Sequence, residues 1–434
     1  MTLSIGIFLA VAIVLLVLGV NFATSLGISS IVYLLLEGIP LTTVVQRMFA
    51  GCDVVALLCI PFFILAGDLM AKGGIAKRLV AVCNMIVGGV HGGLAFVTLL
   101  VCAVFAAMTG SAMACCVTIG SIMLTYMLAS GYDNDFATSV FCAGAVLGPI
   151  IPPSTAMVIY AVNANVSLTD LYLLGVPAGI YMLVALCLVA YVVCKKRGYK
   201  GIGRAAMVCE PGERLTFQKA LLAVIKAIPA LGSPAIILGS IYAGIATPTE
   251  AAVIAVLYSF IVGKFVYREI KFRDIPQLLK RSAISTANVM YIVASAGLFA
   301  WVVSRAGIPT MVVNGLLGIS DNPNVIMLLI ILILLVLGCF MEATPILLIT
   351  IPMFLPVINS LGLSATHFGI IMTITVCIGF VTPPFGTVLF TGMTVSGSKM
   401  HRLAKNVLPF IAVMIVMDLL VAFFPAITTW ILGK

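Results

Sequence analysis

Apolar residues in this chain come in repeated blocks of about 20, the length an α-helix needs to cross the hydrocarbon core of a bilayer. The blocks fall near 3–22, 27–45, 53–72, 94–129, 135–165, 169–193, 225–243, 248–266, 284–303, 324–360, 367–396 and 407–431 of the 434 residues. Backbone polar groups inside a bilayer must be satisfied by the protein itself, so spanning segments are helices or closed barrels, and blocks this long point to helices. The expected fold is an all-α polytopic membrane protein. Composition agrees, with 63% hydrophobic and 9% charged residues where a soluble domain carries about 25% charged. A cytosolic enzyme, a disordered chain and a free nucleic-acid binder are all disfavoured.

The formal net charge of +9 would suggest nucleic acid in a soluble protein. Here the basic residues sit in short clusters between apolar blocks, at Lys195-Lys196-Arg197, Lys264 to Arg281 and Lys399 to Lys405. Such clusters hold loops on the cytoplasmic face of a membrane, so the expected partner is the lipid bilayer and no nucleic acid. The twelve cysteines mostly lie inside apolar blocks, with no CxxC pair and no Cys/His metal spacing. Adjacent Cys115-Cys116 reads as a pair of small packing residues. Residues 1–18 lack the positive start of a signal peptide, and a retained first span is expected.

The chain also repeats. Gly148-Pro149-Ile150-Ile151-Pro152-Pro153 matches Gly379-Phe380-Val381-Thr382-Pro383-Pro384 at a constant offset of 231 residues, which Gly131/Gly362 and Ser167/Ser398 share; Gly67 and Gly297 lie 230 apart. Two Pro-Pro pairs with matched flanking glycines indicate duplication. The expected halves are 1–194 and 225–434, joined by a hydrophilic cytoplasmic linker at 195–224. Let 94–129 and 324–360 be re-entrant hairpins, and 135–165 and 367–396 be broken spans. The cytoplasmic stretches then hold 20 of the 23 basic residues, all but Arg47, Arg305 and Lys434. This arrangement makes the halves inverted repeats, with ten crossings and both termini outside. Ordinary spans in place of the hairpins would scatter the charges.

Inverted repeats with interrupted helices are an architecture of secondary transporters, whose ion and substrate sites lie where helices break near the midplane. Each half supplies a hairpin turn and a break: Met108 to Ala112 with Gly148 to Thr155, and Gly338 to Pro345 with Gly379 to Thr387. Proline removes a backbone donor and pushes its predecessor out of the helical region. A Pro-Pro pair in mid-membrane therefore frees carbonyls such as those of Gly148, Ile151, Gly379 and Thr382. A hard cation takes oxygen ligands, and the half-helix that restarts after the break points its positive end at the midplane, which suits a carboxylate. A single such break would read as a plain Pro kink. Two symmetric breaks, each preceded by a hairpin with a polar tip, favour coupled binding of Na⁺ and an organic anion.

Among the acidic residues, Glu342 at the second tip is costly at that depth and is a functional candidate, with a helix cap as its ordinary role. For Asp68 and Asp418, structural pairing is expected. Thr247-Pro248-Thr249-Glu250 is a capping box with Pro at the first helical position. No Gly-x4-Gly-Lys-Ser/Thr occurs, Gly201-x-Gly203 lacks the rest of a dinucleotide fingerprint, and the three histidines are far apart. The chain is not expected to be an enzyme.

The segments Pro61-Phe62-Phe63-Ile64-Leu65-Ala66-Gly67, Gly148 to Ser154, Thr247 to Ala252 and Thr382-Pro383-Pro384-Phe385-Gly386 resemble the large membrane subunit of tripartite ATP-independent periplasmic (TRAP) transporters, the DctM type. The resemblance covers essentially the whole chain. It implies an elevator-type Na⁺ symporter, multi-pass in the bacterial inner membrane. Such a symporter works with a small membrane subunit of the DctQ type and a periplasmic substrate-binding protein of the DctP type. Family substrates are carboxylates such as C4-dicarboxylates, sialic acid and sugar acids. The family's Na⁺ sites carry over to Thr109, Ser111, Gly148, Ile151 and Pro153 in the first half, and to Gly338, Gly379, Thr382 and Phe385 in the second. The substrate is expected between the tips, near Ser111, Ser154, Thr155, Thr344, Gly386 and Thr387. The alternative is a Na⁺/dicarboxylate symporter of the same architecture that needs no binding protein.

Overall fold

The computed structural model describes residues 2–201, 203, 216–320 and 322–432, and these form helices and turns. The first half opens with α1 (Thr2–Val17), α2 (Phe22–Leu36) and α3 (Thr42–Cys52). The expected block at 27–45 is therefore parts of two helices. Gly38 adopts φ +65° and Pro40 follows, so the helical ladder stops after Leu36. Next come α4 (Cys59–Lys72) and α5 (Ile75–Val87), the second of which the block pattern does not anticipate. Its apolar residues Ile75, Ala76, Leu79, Val80 and Cys83 are buried while Lys77 and Ile86 are exposed, a helical stripe in place of a continuous apolar run.

A hairpin of α6 (Gly93–Thr109) and α7 (Ala112–Ala129) follows, then an interrupted span of α8 (Asn134–Ala145), α9 (Leu147–Ile150) and α10 (Thr155–Ala164), and then α11 (Leu168–Arg197). The second half begins with α12 (Phe217–Tyr242), α13 (Pro248–Ile261), α14 (Ile275–Arg305) and α15 (Ile308–Leu317). It continues with a hairpin of α16 (Pro323–Phe340) and α17 (Ala343–Ser360) and an interrupted span of α18 (Ala365–Gly379) and α19 (Thr387–Ser396). The helix α20 (Met400–Phe423) and a last turn α21 (Ala426–Thr429) close the chain. Of the expected linker at 195–224, residues 202 and 204–215 lie outside the described residues. Both of its edges are helical, since 195–197 end α11 and α12 starts at Phe217.

The two hairpins open toward opposite ends of the molecule. At the mouth of the first, the Gly92 amide donates to the Tyr199 carbonyl (3.0 Å) and the Asp133 amide to the Tyr199 hydroxyl (3.1 Å). Asn134 Nδ2 there donates to the Ser396 carbonyl (3.1 Å), so α8 starts where α19 finishes. At the mouth of the second, the Tyr160 hydroxyl donates to the Ala365 carbonyl (2.6 Å), which joins the outer end of α10 to the start of α18. The halves are thus inverted with respect to each other.

Charge is sorted along the same axis. Arg197 bonds Asn406 Oδ1 (2.6 Å) and lies 3.8 Å from Asp133. Arg78 pairs with Glu269 at 3.5 Å, and Asp68 pairs with Arg281 at 3.7 Å while accepting from the Ser282 hydroxyl at 2.6 Å. Arg47 and Arg305 instead flank the Trp301 ring, at 5.0 and 5.6 Å from its centroid, toward the far end of α14.

Ten helices among the described residues are long and apolar enough to cross a membrane. They are not the ten crossings expected from the blocks. The hairpin arms α7, α16 and α17 qualify by length, whereas α1, α2, α18 and α19 are shorter. A hairpin arm and a spanning helix have the same composition, so only the tertiary placement separates them.

Small residues let these helices approach closely. A Cβ added at Gly297 would lie 3.1 Å from the Gly51 Cα, and one at Gly51 3.3 Å from the Gly297 Cα, so α3 and α14 cross almost backbone to backbone. Gly297→Leu should drive this crossing apart, costing upward of about 1–3 kcal/mol as overpacking does elsewhere. A lower melting temperature in detergent is the expected readout, and an unchanged one would place the crossing outside what holds the fold.

Candidate functional site

Each hairpin tip meets the break of its own half. At the first tip the chain turns through Gly110 (φ +60°), and the Ser111 hydroxyl caps α7 by accepting from the Ala114 amide (3.3 Å). A Cβ on Gly148 would sit 2.8 Å from both the Ser111 carbonyl carbon and the Ala112 nitrogen, and one on Gly110 would overlap the Pro153 carbonyl oxygen. Four of the expected residues, Ser111, Gly148, Pro153 and Ser154, are therefore within touching distance through their backbones. Ser154 is fully buried and caps α10, accepting from the Met157 amide (3.3 Å). Its carbonyl accepts a long bond from the Tyr172 hydroxyl (3.4 Å), a partner the sequence gives no signal for.

The other first-half residues are placed differently. The Thr109 hydroxyl donates to the Phe105 carbonyl (3.1 Å) in its own helix. Ile151 turns its side chain onto Gly179 of α11, which leaves its backbone to the break. Among the described residues, no backbone donor outside the helices reaches the Gly148 or Ile151 carbonyl. Thr155 is the first residue of α10.

The second tip repeats the plan with an even closer approach. A Cβ on Gly338 would lie 2.9 Å from the Gly379 Cα, and one on Gly379 would overlap the Gly338 backbone. The break then folds on itself. The Thr382 amide donates to the Gly379 carbonyl (3.0 Å), the Gly386 amide to the Thr382 carbonyl (3.2 Å) and the Val388 amide to the Phe380 carbonyl (3.0 Å). The carbonyls of Gly379 and Thr382 are thus not fully freed; each keeps one lone pair for another partner. The Phe385 ring lies 5.1 Å from that of Phe340, and both are exposed. Gly386 precedes α19, Thr387 opens it and Thr344 lies in the first turn of α17; among the described residues neither threonine hydroxyl makes a hydrogen bond. Glu342 occupies the N-cap position of α17 without a capping bond, and its side chain is exposed at the tip. Both Pro152-Pro153 and Pro383-Pro384 peptides are cis.

The halves interlock at this depth. Of the four helices that restart after a tip or break, α7 packs beside α19 and α10 beside α17. Within the first pair, the Cys116 thiol of α7 lies 3.7 Å from the Val388 carbonyl of α19, so the two helices begin side by side. Helix N-termini carry unsatisfied amides and a partial positive charge, and this arrangement brings those of α7 and α19 together. A separate cavity of about 490 Å³ lies between α6, α11 and α12. Its walls, which include Ala103, Ala107, Ile151, Leu183 and Leu238, are apolar and unsuited to an anion. Among the described residues no cluster of His, Cys, Asp and Glu could hold a transition metal.

Solved structures supply a match for this arrangement. The YdaH transporter of Alcanivorax borkumensis superposes with a TM-score of 0.64 over 89% of both chains at 13% sequence identity, a likeness of fold. Sequence relatives are closer. The sialic acid TRAP transporter large permease SiaM of Vibrio cholerae is 36% identical over 88% of this chain and 87% of its own length. The C4-dicarboxylate TRAP transporter large permease DctM of Pseudomonas aeruginosa is 35% identical over 93% and 92%. The isethionate TRAP transporter permease DctMQ of Oleidesulfovibrio alaskensis is 36% identical over 96% of this chain, which spans 65% of that longer protein. The family model for the DctM component of tripartite ATP-independent periplasmic transporters matches residues 9–427. With the match running nearly end to end, and over the tips and breaks described above, the chain belongs to the DctM family, the large membrane permeases of TRAP transporters.

Proposed function

We propose that this permease takes up an organic anion, a carboxylate, by Na⁺ symport. The observation that carries the proposal is the pair of hairpin tips seated on two helix breaks, with helix N-termini gathered between them. Backbone carbonyls that, among the described residues, meet no donor from outside the helices at Gly148 and Ile151, together with Ser111, Thr109 and Pro153, suit a hard cation that takes oxygen ligands. Gly338, Gly379, Thr382 and Phe385 make the equivalent set. Between them, the starts of α7, α10, α17 and α19, the first two capped by Ser111 and Ser154, offer amides to a carboxylate at Ser111, Ser154, Thr155, Thr344, Gly386 and Thr387. The named substrates of the relatives, sialic acid, C4-dicarboxylate and isethionate, fit an anion site of this kind.

The hairpins and broken helices would move together as an elevator domain against a scaffold built from α1 to α3, α11 to α14 and α20. Basic residues gathered at one end support a cytoplasmic position for that end, and the family fits a bacterial inner membrane. A DctQ-type small subunit and a DctP-type periplasmic binding protein complete the transporter. Reconstitution tests this part. Proteoliposomes holding both membrane subunits should take up labelled carboxylate when the loaded binding protein is added, whereas equal uptake without it would move the chain to the stand-alone symporters.

The caps give a smaller prediction. Ser154→Ala removes the α10 cap, worth about 1 kcal/mol, and should raise the substrate concentration needed for half-maximal uptake more than it lowers melting temperature. A change in melting temperature alone would restrict Ser154 to a structural cap.

A further inference from the structure

Away from the tips, one buried carboxyl is paired with a hydroxyl of another helix. Asp418 is 1% exposed and lies within α20. Among the described residues it has no Lys, Arg or His partner. Its Oδ2 lies 2.7 Å from the Thr375 hydroxyl on α18, and its Oδ1 has no hydrogen-bond partner.

Counting hydrogens decides the state of this group. Thr375 Oγ1 is also 2.8 Å from the Ile371 carbonyl oxygen one turn back. A hydroxyl has a single hydrogen, and both neighbours would be acceptors if Asp418 were ionised. One of the two contacts would then be a repulsion between lone pairs in a site closed to water. Both become hydrogen bonds if the carboxyl carries a proton on Oδ2. That proton goes to Thr375 Oγ1, and the threonine hydrogen goes to the Ile371 carbonyl. The bare Oδ1 is then the carbonyl oxygen of a neutral acid, far cheaper to bury than an unpaired carboxylate oxygen.

We propose that Asp418 is a proton-binding site of the permease, holding its proton in a relay from Oδ2 through Thr375 to the Ile371 carbonyl. The surroundings favour the neutral form. Cys377 and His367 are the titratable residues of α18, and His367 lies two turns nearer its start than Thr375. Among the other helices packed on α20, α16, α19 and α21 carry no charged residue, and the charges of α8 and α11 are at Asp135, Asp170 and 195–197, at the helix ends. Thr375 stands one turn before Gly379, where α18 breaks. The proton thus braces the last turn of α18 against α20.

The proposal concerns this chain's own protonation and stands whether or not Na⁺ drives uptake. Infrared spectroscopy of the full chain in detergent at neutral pH, with and without Na⁺, tests it. Asp418→Asn should remove one carbonyl band of a protonated acid, and Thr375→Val should shift that band without removing it. The result should be the same with Na⁺ present. Loss of carboxylate bands in Asp418→Asn, a Thr375→Val spectrum unchanged in the protonated-acid region, or disappearance of the band on adding Na⁺ would each overturn it. Should Asp418→Asn fail to fold, the Thr375→Val spectrum decides alone.

Discussion

Gly379→Val is expected to abolish uptake, by more than about 100-fold, while the protein still folds and elutes as the parent does. The reason is local. The Cβ would overlap the Gly338 backbone of the second tip, and no side-chain rearrangement relieves a clash with main chain. The tip must retreat by about an ångström, and misplacements of that size cost roughly 100-fold where geometry carries the chemistry. Gly338→Ala should act in the same direction, because its Cβ would sit 2.9 Å from the Gly379 Cα. Uptake by Gly379→Val at the parent rate would show that tip and break need not meet.

The second large effect is expected at the other break. Replacing Pro152 and Pro153 together with alanine returns two backbone amides, and each proline inside a helix is unfavourable by about 3 kcal/mol. The segment from Ile150 to Thr155 should then extend the helix, occupying the carbonyls of Gly148 and Ile151 and moving Ser154 away from the Ser111 tip. Na⁺-dependent uptake should disappear while melting temperature holds or rises. That combination separates the effect from misfolding, in which both would fall.

Much of this arrangement is legible in the sequence because its strongest signals are covalent. The Pro-Pro pairs cannot continue a helix, and their constant offset marks the repeat, so hairpins and broken spans follow before any contact is known. What the sequence hides depends on tertiary placement. The helices α5 and α15 are short, and α5 is a stripe that averages out in a search for apolar runs. The block at 27–45 has the composition of a span although Gly38 and Pro40 divide it. Glycines 338 and 379 are separately unremarkable; only the fold presses one backbone on the other. Asp418 and Thr375 are 43 residues apart, so the hydrogen bond that pairs them has no local signature. Likewise, the carbonyls of Gly379 and Thr382 are partly used by the break's own amides, which depends on how the loop closes.

The central claim is that tip and break form a cation site coupled to anion uptake. The most direct measurement is uptake of labelled carboxylate by proteoliposomes containing the permease and its small subunit, with loaded binding protein outside, under an inward Na⁺ gradient and under an equal K⁺ gradient. The account predicts accumulation with Na⁺ alone, lost in Gly379→Val and in the double Pro152/Pro153 replacement. Equal accumulation with K⁺, or Na⁺-driven accumulation that survives both replacements, would contradict it.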